Sequence, residues 1–298
     1  MADTVADFEA LERLMAHHRQ DARITALVLS CEDHYRMEGN EVYADNVASK
    51  WRLHLSRFWG SMKASEITTS RQREYQQKRL AEGAARATIN REMAILSKAL
   101  HLAYEEEPRK IAATPNILFF PENNARKVFI TAEELEKIRA TAKKDYWPWT
   151  GVLIELAYFL GWRKGELLSL KARNFDAAGK CLRLDESKNG EPREVPLTSK
   201  LVELVRPLAD APPEKPLFPI SSRGWHDVWN QLVKRAGCPH IHFHDFRRTS
   251  ARSKRWAGVD TSVIMEIQGW KTEAMFRRYA IVAREDKLAA LKKVEKLK

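Results

Sequence analysis

The last tyrosine of the chain stands in a stretch whose residue types could carry out nucleophilic chemistry. Tyr279 follows two arginines in QGWKTEAMFRRYAIV and lies nine residues after Trp270. A tyrosine hydroxyl ordinarily has a pKa of about 10 and is a weak nucleophile at neutral pH unless cations surround it. In a helix, Arg277 and Arg278 point to other faces than Tyr279. Core packing is the ordinary role of such an aromatic, so a nucleophilic role requires cations from elsewhere in the chain.

A first candidate cation is Arg163 in GWRKGELLSL. An apolar helix is predicted to end at Gly161, which places Arg163 at the turn into the next helix, where backbone amides favour anions. An arginine in that position can bind a phosphate through two parallel hydrogen bonds. The alternative is a surface arginine between two packed helices, with Glu166 as its partner.

Further cations lie in HDFRRTSARSKR. His244 and Arg247 are three residues apart and therefore share one helix face. The same helix contains additional basic residues, namely Arg248, Arg252, Lys254 and Arg255. Two donors on one face suit phosphate oxygens. A solvated basic helix with a core histidine is equally compatible with the pattern.

Lys188 lies in SKNG, between two stretches that alternate apolar and polar residues. Such alternation predicts a β-hairpin, with Asn189 and Gly190 in its turn. A lysine at a hairpin tip can reach into a site and give a proton to a leaving alkoxide. Most lysines in such turns are only solvated.

Other chemistries have little support in the sequence. In CPHIHFHD, Cys238, His240, His242 and His244 alternate, but four ligands on one short strand converge poorly on a tetrahedral ion, so no metal is expected. Motifs of the types GxxxxGK[ST], GxGxxG and GxSxG are absent, so neither a nucleotide cofactor nor a serine hydrolase site is expected.

Composition points to a basic protein of a reducing compartment. The 298 residues include 51 Lys and Arg against 40 Asp and Glu, a net charge of +11, which makes a polyanion the first partner to consider. The three cysteines form no CxxC pair, and the acidic start of the chain does not resemble a signal peptide. We therefore expect a cytoplasmic protein. The most apolar run, Trp147–Trp162, is short for a bilayer and contains Glu155, so a buried helix is expected.

The first hundred residues have a helical pattern throughout. Ile67–Gly83 opens with hydroxyl caps and ends on glycine, and Ala87–Glu106 follows with Thr88 as its expected cap, so the two are predicted to form a helical hairpin. Prolines at 108, 115 and 121 then interrupt the pattern. A domain boundary is expected near residue 125.

The second region is also mainly helical. Thr131 and Glu134 form a capping box at the start of a helix. The hairpin around Lys188 is the only strong strand signal. The helices expected after it are Trp225–Ala236, Asp245–Ala257, Thr261–Gln268, Thr272–Tyr279 and a lysine-rich helix from Glu285.

Taken in order, these motifs resemble the active-site series of the tyrosine recombinases, the phage integrase family. The series comprises Arg163, Lys188, His244, Arg247, Trp270 and Tyr279. Each motif is weak by itself, but the ordered set is highly specific. The segment around TINRE is similar to the family's helical core-binding domain, so the resemblance covers roughly residues 40 to 282. What it implies is a mainly α fold with a small β-sheet, in two domains that clamp DNA.

The resemblance implies that Tyr279 attacks a backbone phosphate of duplex DNA and forms a 3′-phosphotyrosyl link, without metal or ATP. By matching positions, Arg163 and Arg247 would hold the non-bridging oxygens, and His244 would donate a hydrogen bond or handle a proton. Lys188 would be the general acid and Glu166 a supporting carboxylate. Many members have histidine in place of Trp270 and others tryptophan, so an indole hydrogen bond and simple packing both stay open for this residue.

The resemblance also implies a domain organisation. Residues 1–125 would be a helical, SAM-like core-binding domain with an N-terminal extension, and residues 126–298 the mixed α/β catalytic domain. The first 40 residues match less well and could extend the core-binding domain or form a small separate module. DNA contacts are expected at Thr88, Asn90, Arg91, Arg248 and Arg252.

Partners follow from the same resemblance. The C-terminal helix, REDKLAALKKVEKLK, has leucines and a valine on one face, and the family commonly exchanges such a segment between protomers. We expect a homotetramer on double-stranded DNA, in the cytoplasm of a bacterial or phage-infected cell at the nucleoid, with host DNA-bending or directionality proteins as further partners and no membrane. A frayed basic tail is the alternative for the helix.

Three functions are compatible with these motifs. The favoured one is a site-specific recombinase that integrates or excises a phage or another mobile element. The second is DNA relaxation of the type IB topoisomerase kind, which resembles this family in its tyrosine, lysine and basic residues. The third is a catalytically silent DNA-binding protein with the same fold.

Overall fold

The computed structural model describes residues 21–122, 126, 128–185, 192–279 and 284–295. The chain divides into two compact units, Met1–Asn124 and Ala125–Lys298, each with its own hydrophobic core. Among the described residues, no helix is long and apolar enough to cross a membrane.

The first unit is built from helices. They are α1 (Ile24–Met37), α2 (Glu41–Lys50), α3 (Ser56–Trp59), α4 (Thr69–Ala81) and α5 (Arg86–Glu105), with a π-helical turn at Trp51–Leu55 and a 3-10 turn at Ala64–Glu66. Helix α1 packs against α2 and α5, and its apolar side chains Ile24, Leu27 and Val28 are buried in the core of the unit. Residues 24–37 thus pack within this unit.

Helices α4 and α5 are the two helices that the sequence predicts here. Helix α4 begins as expected, with the Thr68 hydroxyl accepting a hydrogen bond from the amide of Arg71. The expected cap of α5 is wrong, because that helix begins at Arg86 and Thr88 already lies in its first turn. Its N-cap, Ala85, has no side chain that can accept a hydrogen bond.

A buried ion pair joins these two helices. The guanidinium of Arg79 donates to both oxygens of Glu92, at 3.0 and 2.8 Å, and the Tyr75 hydroxyl donates to the same carboxylate at 2.8 Å. Glu92 is fully buried. Because removal of one partner would leave a buried charge, these contacts fix how the two helices pair.

The second unit contains the remaining elements. The helices are α6 (Ala132–Asp145), α7 (Pro148–Leu160), α8 (Lys164–Leu168), α9 (Ser199–Ala209), α10 (Ser222–Arg235), α11 (Asp245–Trp256), α12 (Thr261–Gln268), α13 (Glu273–Tyr279) and α14 (Arg284–Glu295). The strands are β1 (Phe175–Asp176), β2 (Cys181–Leu184) and β3 (Arg193–Pro196), preceded by a 3-10 turn at Ala172–Asn174. The mainly α fold with a small sheet is thus confirmed.

Helix α7 is the central helix of this unit. It packs against α6, α9 and α11, and Leu153, Ile154 and Leu156 have no exposed surface. The expectation that the apolar run forms a buried helix is confirmed. Helix α6 begins at the predicted capping box, in which the Thr131 hydroxyl accepts from the amide of Glu134.

The strands form an antiparallel sheet in the order β1, β2, β3. Leu182 pairs with Val195 and Leu184 with Arg193. The hairpin of β2 and β3 is confirmed, whereas its predicted turn at Asn189 and Gly190 lies outside the described residues. The two-residue strand β1 was not predicted, because so short a segment carries no alternating pattern.

Helix α9 was not predicted, whereas the helices after it agree with the prediction to within three residues at their starts and one residue at their ends. Helix α10 begins three residues earlier than expected, since the Ser221 hydroxyl accepts from the amide of Gly224 and caps it. A glycine inside the first turn disguised this start. Helix α13 begins at Glu273 rather than Thr272, a difference within the ordinary uncertainty of helix ends.

Helix α7 ends at Gly161, whose φ of +66° is in the left-handed region. A Cβ atom at this position would lie 2.4 Å from a terminal atom of the Gln268 side-chain amide and 2.9 Å from the Ser250 hydroxyl oxygen. Both neighbours are buried. Position 161 therefore requires glycine for its backbone conformation and for space.

We predict that Gly161→Ala lowers the free energy of unfolding by about 2 to 4 kcal/mol, since backbone strain and a steric clash add together. The control is Gly237→Ala, because Gly237 has a similar φ of +73° but no atom within 4 Å of a Cβ. That variant should lose only about 1 kcal/mol. Urea unfolding of both variants measures the difference, and equal losses would contradict the steric argument.

Candidate active site

Arg247 is held in the interior between two segments of the second unit. It lies in the first turn of α11 and only 1% of its surface is exposed. Its Nη1 donates to the carbonyl oxygen of Gly161 at 2.7 Å, and its guanidinium lies over the ring of Trp270, 4.9 Å from the ring centroid. Arg247 thus connects α11 with the turn after α7 and with the turn after α12.

Arg163 and Glu166 form an ion pair at the start of α8. The backbone amide of Arg163 donates to Glu166 at 2.8 Å, and its Nη1 donates to the other carboxylate oxygen at 2.7 Å. Burial raises the pKa of Glu166, but the hydrogen bonds from Arg163 and the nearby guanidinium charges outweigh it, so the pKa lies below its usual range. Glu166 is therefore a carboxylate that orients Arg163.

This ion pair changes one detail of the sequence interpretation. We expected the amides at the start of α8 to favour an anion, yet the amide of Arg163 is bound by the Glu166 carboxylate. Glu166 was expected either as the partner of a surface arginine or as a supporting carboxylate of the site, and the same contact with Arg163 fits both expectations. The side chain of Arg163 retains 24% exposure, so its guanidinium borders on solvent whereas Glu166, at 5%, does not.

Arg193 is a member of this group that sequence reasoning missed. It is the first residue of β3, and its Nη2 lies 3.2 Å from the same Glu166 carboxylate. Its guanidinium also lies over the ring of Trp162, 4.7 Å from the centroid. A signal was available: Arg193 alternates with Val195 and Leu197, which are both buried, so all three lie on the buried face of the strand.

His244 directly precedes α11 and is exposed at the rim of the group. Partial burial of the ring lowers its pKa below the usual value, and the positive charges of Arg247 and Arg163 lower it further. The next residue, Asp245, accepts two hydrogen bonds from the Arg126 guanidinium, at 2.7 and 2.8 Å, and so fixes the start of the helix. His244 is thus a neutral imidazole at pH 7 beside two arginines.

Trp270 packs in a small apolar cluster that includes Phe276 of helix α13. Trp270 is 4% exposed, and its ring meets that of Phe276 edge to face, with the ring centroids 5.7 Å apart. Ala251 and Ile264 complete the cluster. Packing against Arg247 and Phe276 is therefore a role of Trp270, and Phe276 transmits this contact to α13.

Tyr279 is the last residue of α13, three residues after Phe276. Its backbone is described, but the structure does not describe its side chain. Lys188 lies outside the described residues. Arg277 is 78% exposed and paired with Glu273 at 2.9 Å, so this arginine is a surface charge. Of the predicted series, the structure brings together Arg163, Glu166, His244, Arg247 and Trp270.

The second unit matches a known family over most of its length. Residues 128–286, more than half of the chain, match the phage integrase family. The chain belongs to this family. The resemblance inferred from the ordered motifs is thereby confirmed.

Relatives of this phage integrase family member include the shufflon-specific DNA recombinase of Escherichia coli. The two are 24% identical over 260 residues, which cover 83% of this chain and 64% of that recombinase. The chain thus spans less than two thirds of the length of this relative.

Two solved integrase structures share the fold. The Tn1549 transposon integrase in complex with a circular intermediate DNA superimposes with a TM-score of 0.73 at 16% identity, covering 91% of this chain and 99% of that one. A lambda integrase tetramer bound to a Holliday junction gives a TM-score of 0.68 at 21% identity, covering 90% and 80%. At such identities the likeness establishes the fold alone.

In this family member, the charges of the site are arranged before any ligand binds. Glu166 supplies one negative charge to two guanidinium groups, those of Arg163 and Arg193. Arg247 donates to the carbonyl oxygen of Gly161 and lies against the ring of Trp270. Such fixed positive charge stabilises an anion without reorganisation. We call Arg163, Arg193 and Arg247 the arginine cluster.

The residues expected to contact DNA differ in their surroundings. Arg91 is exposed and Thr88 is partly exposed. Asn90 is only 8% exposed, and its amide both donates to the Phe120 carbonyl at 2.9 Å and accepts from the Phe120 amide at 2.8 Å. The role of Asn90 in this structure is therefore to hold the segment after α5.

The two expected contacts on α11 are engaged with aromatic rings. Arg248 is 6% exposed, and Arg252 lies between the rings of Phe129 and Trp256, 4.4 and 4.1 Å from their centroids. Stacking of this kind orients a guanidinium. Whether either of them contacts DNA stays a prediction.

The histidines of CPHIHFHD serve separate purposes. His240 pairs with Glu134 at 3.1 Å, whereas His244 borders on the arginine cluster. Across the described parts of the chain, no three His, Cys, Asp or Glu residues are grouped so that they could hold a metal ion.

Lys254 lies about two helical turns beyond Arg247 on α11. Its ammonium donates to the Phe159 carbonyl oxygen at 2.6 Å and to the Ser250 hydroxyl. Burial lowers the pKa of Lys254 to about 7, and the charge of Arg247 contributes in the same direction. In the unfolded chain the pKa returns to its ordinary value of 10.5.

This shift predicts a pH dependence of stability. Between pH 7 and 10.5 the unfolded chain binds more protons at Lys254 than the folded chain does, so its contribution to stability rises with pH. The unfolding free energy of the wild type minus that of Lys254→Met should therefore rise by about 2 kcal/mol from pH 7 to pH 9, because only the wild type gains stability from this group. Urea unfolding at the two pH values measures it, with Lys234→Met, at an exposed position, as the flat control. A difference that does not change with pH would contradict the burial of this charge.

Proposed function

We propose that the chain is a site-specific DNA recombinase that cleaves and rejoins duplex DNA through a phosphotyrosyl link at Tyr279. The observation that carries this proposal is the arrangement of Arg163 and Arg247, each held at a fixed position, together with a helix that ends at Tyr279 and is packed onto Trp270 through Phe276. Family membership and the names of the relatives support it. The reaction would integrate or excise a phage or another mobile element.

In the proposed first step, the Tyr279 oxygen attacks a backbone phosphorus and the bond from phosphorus to the 5′-oxygen breaks. Lys188 donates a proton to the leaving 5′-oxygen, and the tyrosine proton passes to His244 or to water. The products are a 3′-phosphotyrosyl link and a 5′-hydroxyl. Attack of another strand's 5′-hydroxyl on this link reverses the step and releases Tyr279, so the bond energy is conserved and no nucleotide is consumed.

The arginines stabilise the charge that develops on the phosphorane. Arg163 and Arg247 would bind its non-bridging oxygens, and fixed donors in comparable oxyanion sites contribute on the order of 3 kcal/mol each. Arginine keeps its proton, so both act as clamps and not as bases. His244 has a lowered pKa and is neutral at pH 7, which allows its ring to donate one hydrogen bond and accept another.

The two units would divide the work. We propose that residues 1–125 form the core-binding domain and contact DNA through Arg91 and Thr88, while residues 126–298 form the catalytic domain. Asn90 is left out of this set of contacts, because its amide is used by the Phe120 backbone. Arg248 and Arg252 stay in the set of proposed DNA contacts.

Helix α14 would join protomers. Leu288, Leu291 and Val294 are spaced three residues apart and are 53%, 63% and 59% exposed. An apolar stripe that is exposed on its own chain suits a groove on another protomer. We propose a tetramer on DNA through exchange of this helix, as an assembly of the same order as the lambda integrase tetramer. Host DNA-bending or directionality proteins would be further partners, in the cytoplasm at the nucleoid.

The decisive variant is Tyr279→Phe, which keeps the ring but removes the attacking oxygen. We expect it to abolish a covalent adduct between the chain and a nicked suicide duplex that carries the junction of the encoding element, while its affinity for the duplex stays unchanged. Denaturing gel electrophoresis measures the adduct. Tyr43→Phe, at an exposed tyrosine of the first unit, is the control and should form the adduct as the wild type does.

Other outcomes separate the alternatives. An adduct that persists in Tyr279→Phe would refute the assignment of the nucleophile. Relaxation of supercoiled DNA by the wild type without any strand exchange would favour a topoisomerase. A suicide duplex that stays intact with the wild type, although it is bound, would favour a silent DNA-binding protein.

The net charge of +11 predicts that binding to DNA depends steeply on salt. Each phosphate neutralised by Lys or Arg releases a counterion, and with six to ten such contacts the affinity falls about 10³- to 10⁵-fold between 50 and 200 mM salt. Fluorescence anisotropy of a short labelled duplex measures the slope. An affinity that hardly changes with salt would contradict the electrostatic part of the proposal.

A further inference from the structure

Arg193 is the point at which three site-bearing segments of the second unit meet. Its side chain is 7% exposed, and its Nη2 lies 3.2 Å from Glu166, the carboxylate that orients Arg163. Its guanidinium also covers the ring of Trp162, next to Arg163 in the chain. Through these contacts the first strand residue after the hairpin turn is tied to the segment that presents Arg163.

The third segment is the turn between α12 and Trp270. Gly269 has a φ of +65°, and a Cβ at this position would lie 1.4 Å from Nη1 of Arg193. The guanidinium therefore occupies the space that a side chain at position 269 would need. The Trp162 indole donates to the Ile267 carbonyl oxygen at 2.7 Å, which holds the same turn from the other side of Arg193.

These contacts relate Arg193 to both phosphate-binding arginines of the proposed reaction. Toward Arg163 it acts through the shared carboxylate of Glu166. Toward Arg247 it acts through the turn that leads into Trp270, whose ring lies against the Arg247 guanidinium. It is also the residue with which β3 begins, five positions after Lys188.

We infer that Arg193 is a positioning residue of the cleavage reaction, which sets the placement of Arg163 through Glu166 and of Trp270 through the Gly269 turn. This inference rests on the proposed function. Arg193 does not itself need to touch the phosphate. A shift of about 1 Å in groups that hold a transition state costs roughly 100-fold in rate, so a residue of this kind affects chemistry more than binding.

The hairpin offers a matched control. Arg183 lies on β2, is 54% exposed and pairs with the exposed Glu194 and the partly buried Asp176. It shares the residue type and the sheet with Arg193, but within the described residues its ion pairs are with the sheet residues Asp176 and Glu194 and not with the segments that carry Arg163 or Trp270. Loss of Arg183 should leave the reaction unchanged.

The experiment measures single-turnover cleavage of the suicide duplex at saturating concentration, together with the dissociation constant for the duplex. We expect Arg193→Gln to lower the cleavage rate about 10- to 100-fold while the dissociation constant changes less than about twofold. Arg193→Lys should recover part of the rate, because it restores the charge beside Glu166 but not the planar group over Trp162. Arg183→Gln should cleave as the wild type does.

A second measurement tests the route through Glu166. If Arg193 acts on Arg163 through this carboxylate, the double variant Glu166→Gln with Arg193→Gln should lose less activity than the product of the two single losses, with the remaining effect of Arg193→Gln due to the Gly269 turn. Independent, multiplying effects would overturn the inference. Hydrogen exchange of residues 161–168 and 266–271 should also be faster in Arg193→Gln than in Arg183→Gln, and unchanged exchange in these segments would overturn it as well.

The outcomes distinguish this inference from the function on which it rests. If the wild type forms no adduct with the duplex, the proposed function fails before any variant is compared. If the wild type forms the adduct and Arg193→Gln does so at the same rate, the function stands and the inference is wrong. If Arg193→Gln does not fold, Arg193→Lys takes its place. The inference then requires that Arg193→Lys cleaves more slowly than the wild type and that its loss of rate does not multiply with that of Glu166→Gln.

Discussion

The arrangement of the site depends on one carboxylate, that of Glu166, buried between two guanidinium groups. A buried guanidinium without a partner is very unfavourable, and so is a buried carboxylate. Glu166 satisfies both demands, since it accepts hydrogen bonds from the backbone and side chain of Arg163 and lies beside Arg193. The same carboxylate thus satisfies Arg163 and Arg193 and stabilises the fold around them.

The second constraint is the end of helix α7. The last carbonyl groups of a helix carry partial negative charge, and here they accept from cations of α11. Arg247 binds the carbonyl of Gly161, and Lys254 binds that of Phe159. With its side-chain amide oriented so that both terminal atoms are satisfied, Gln268 adds hydrogen bonds to the α11 backbone at Arg247 and Ala251. The position of Arg247 thus follows from how α11 and α12 pack on α7. This packing is possible because residue 161 has no side chain, which lets Ser250 of α11 and Gln268 of α12 approach its backbone.

Much of the fold could be predicted from the sequence, because its signals are local. The caps at Thr68 and Thr131 and the alternation on both sides of Lys188 depend on residues a few positions apart, and the structure contains these elements. The start of α5 was predicted wrongly, since Ala85 has no capping side chain and Thr88 offered a misleading signal. Local rules fail where a helix start depends on tertiary packing and not on a cap.

The site was predictable in part for a related reason. Motif order predicts which residues act on a phosphate, but spacing along the chain contains no information on which carboxylate or ring a guanidinium meets. The burial of Asn90 against Phe120 is a contact across 30 residues, and that of Arg193 against Glu166 is one across 27. Only the face of β3, on which Arg193 alternates with Val195, indicated that this arginine points inward.

The close approach of Arg193 to Gly269 also constrains how the two positions can change in evolution. The two positions are 76 residues apart in sequence, yet the guanidinium of one fills the volume that any side chain at the other would need. A chain of this fold that acquires a side chain at position 269 must at the same time shorten or redirect the residue at position 193. Each substitution alone passes through a less fit sequence, so the two positions are expected to co-vary as a pair.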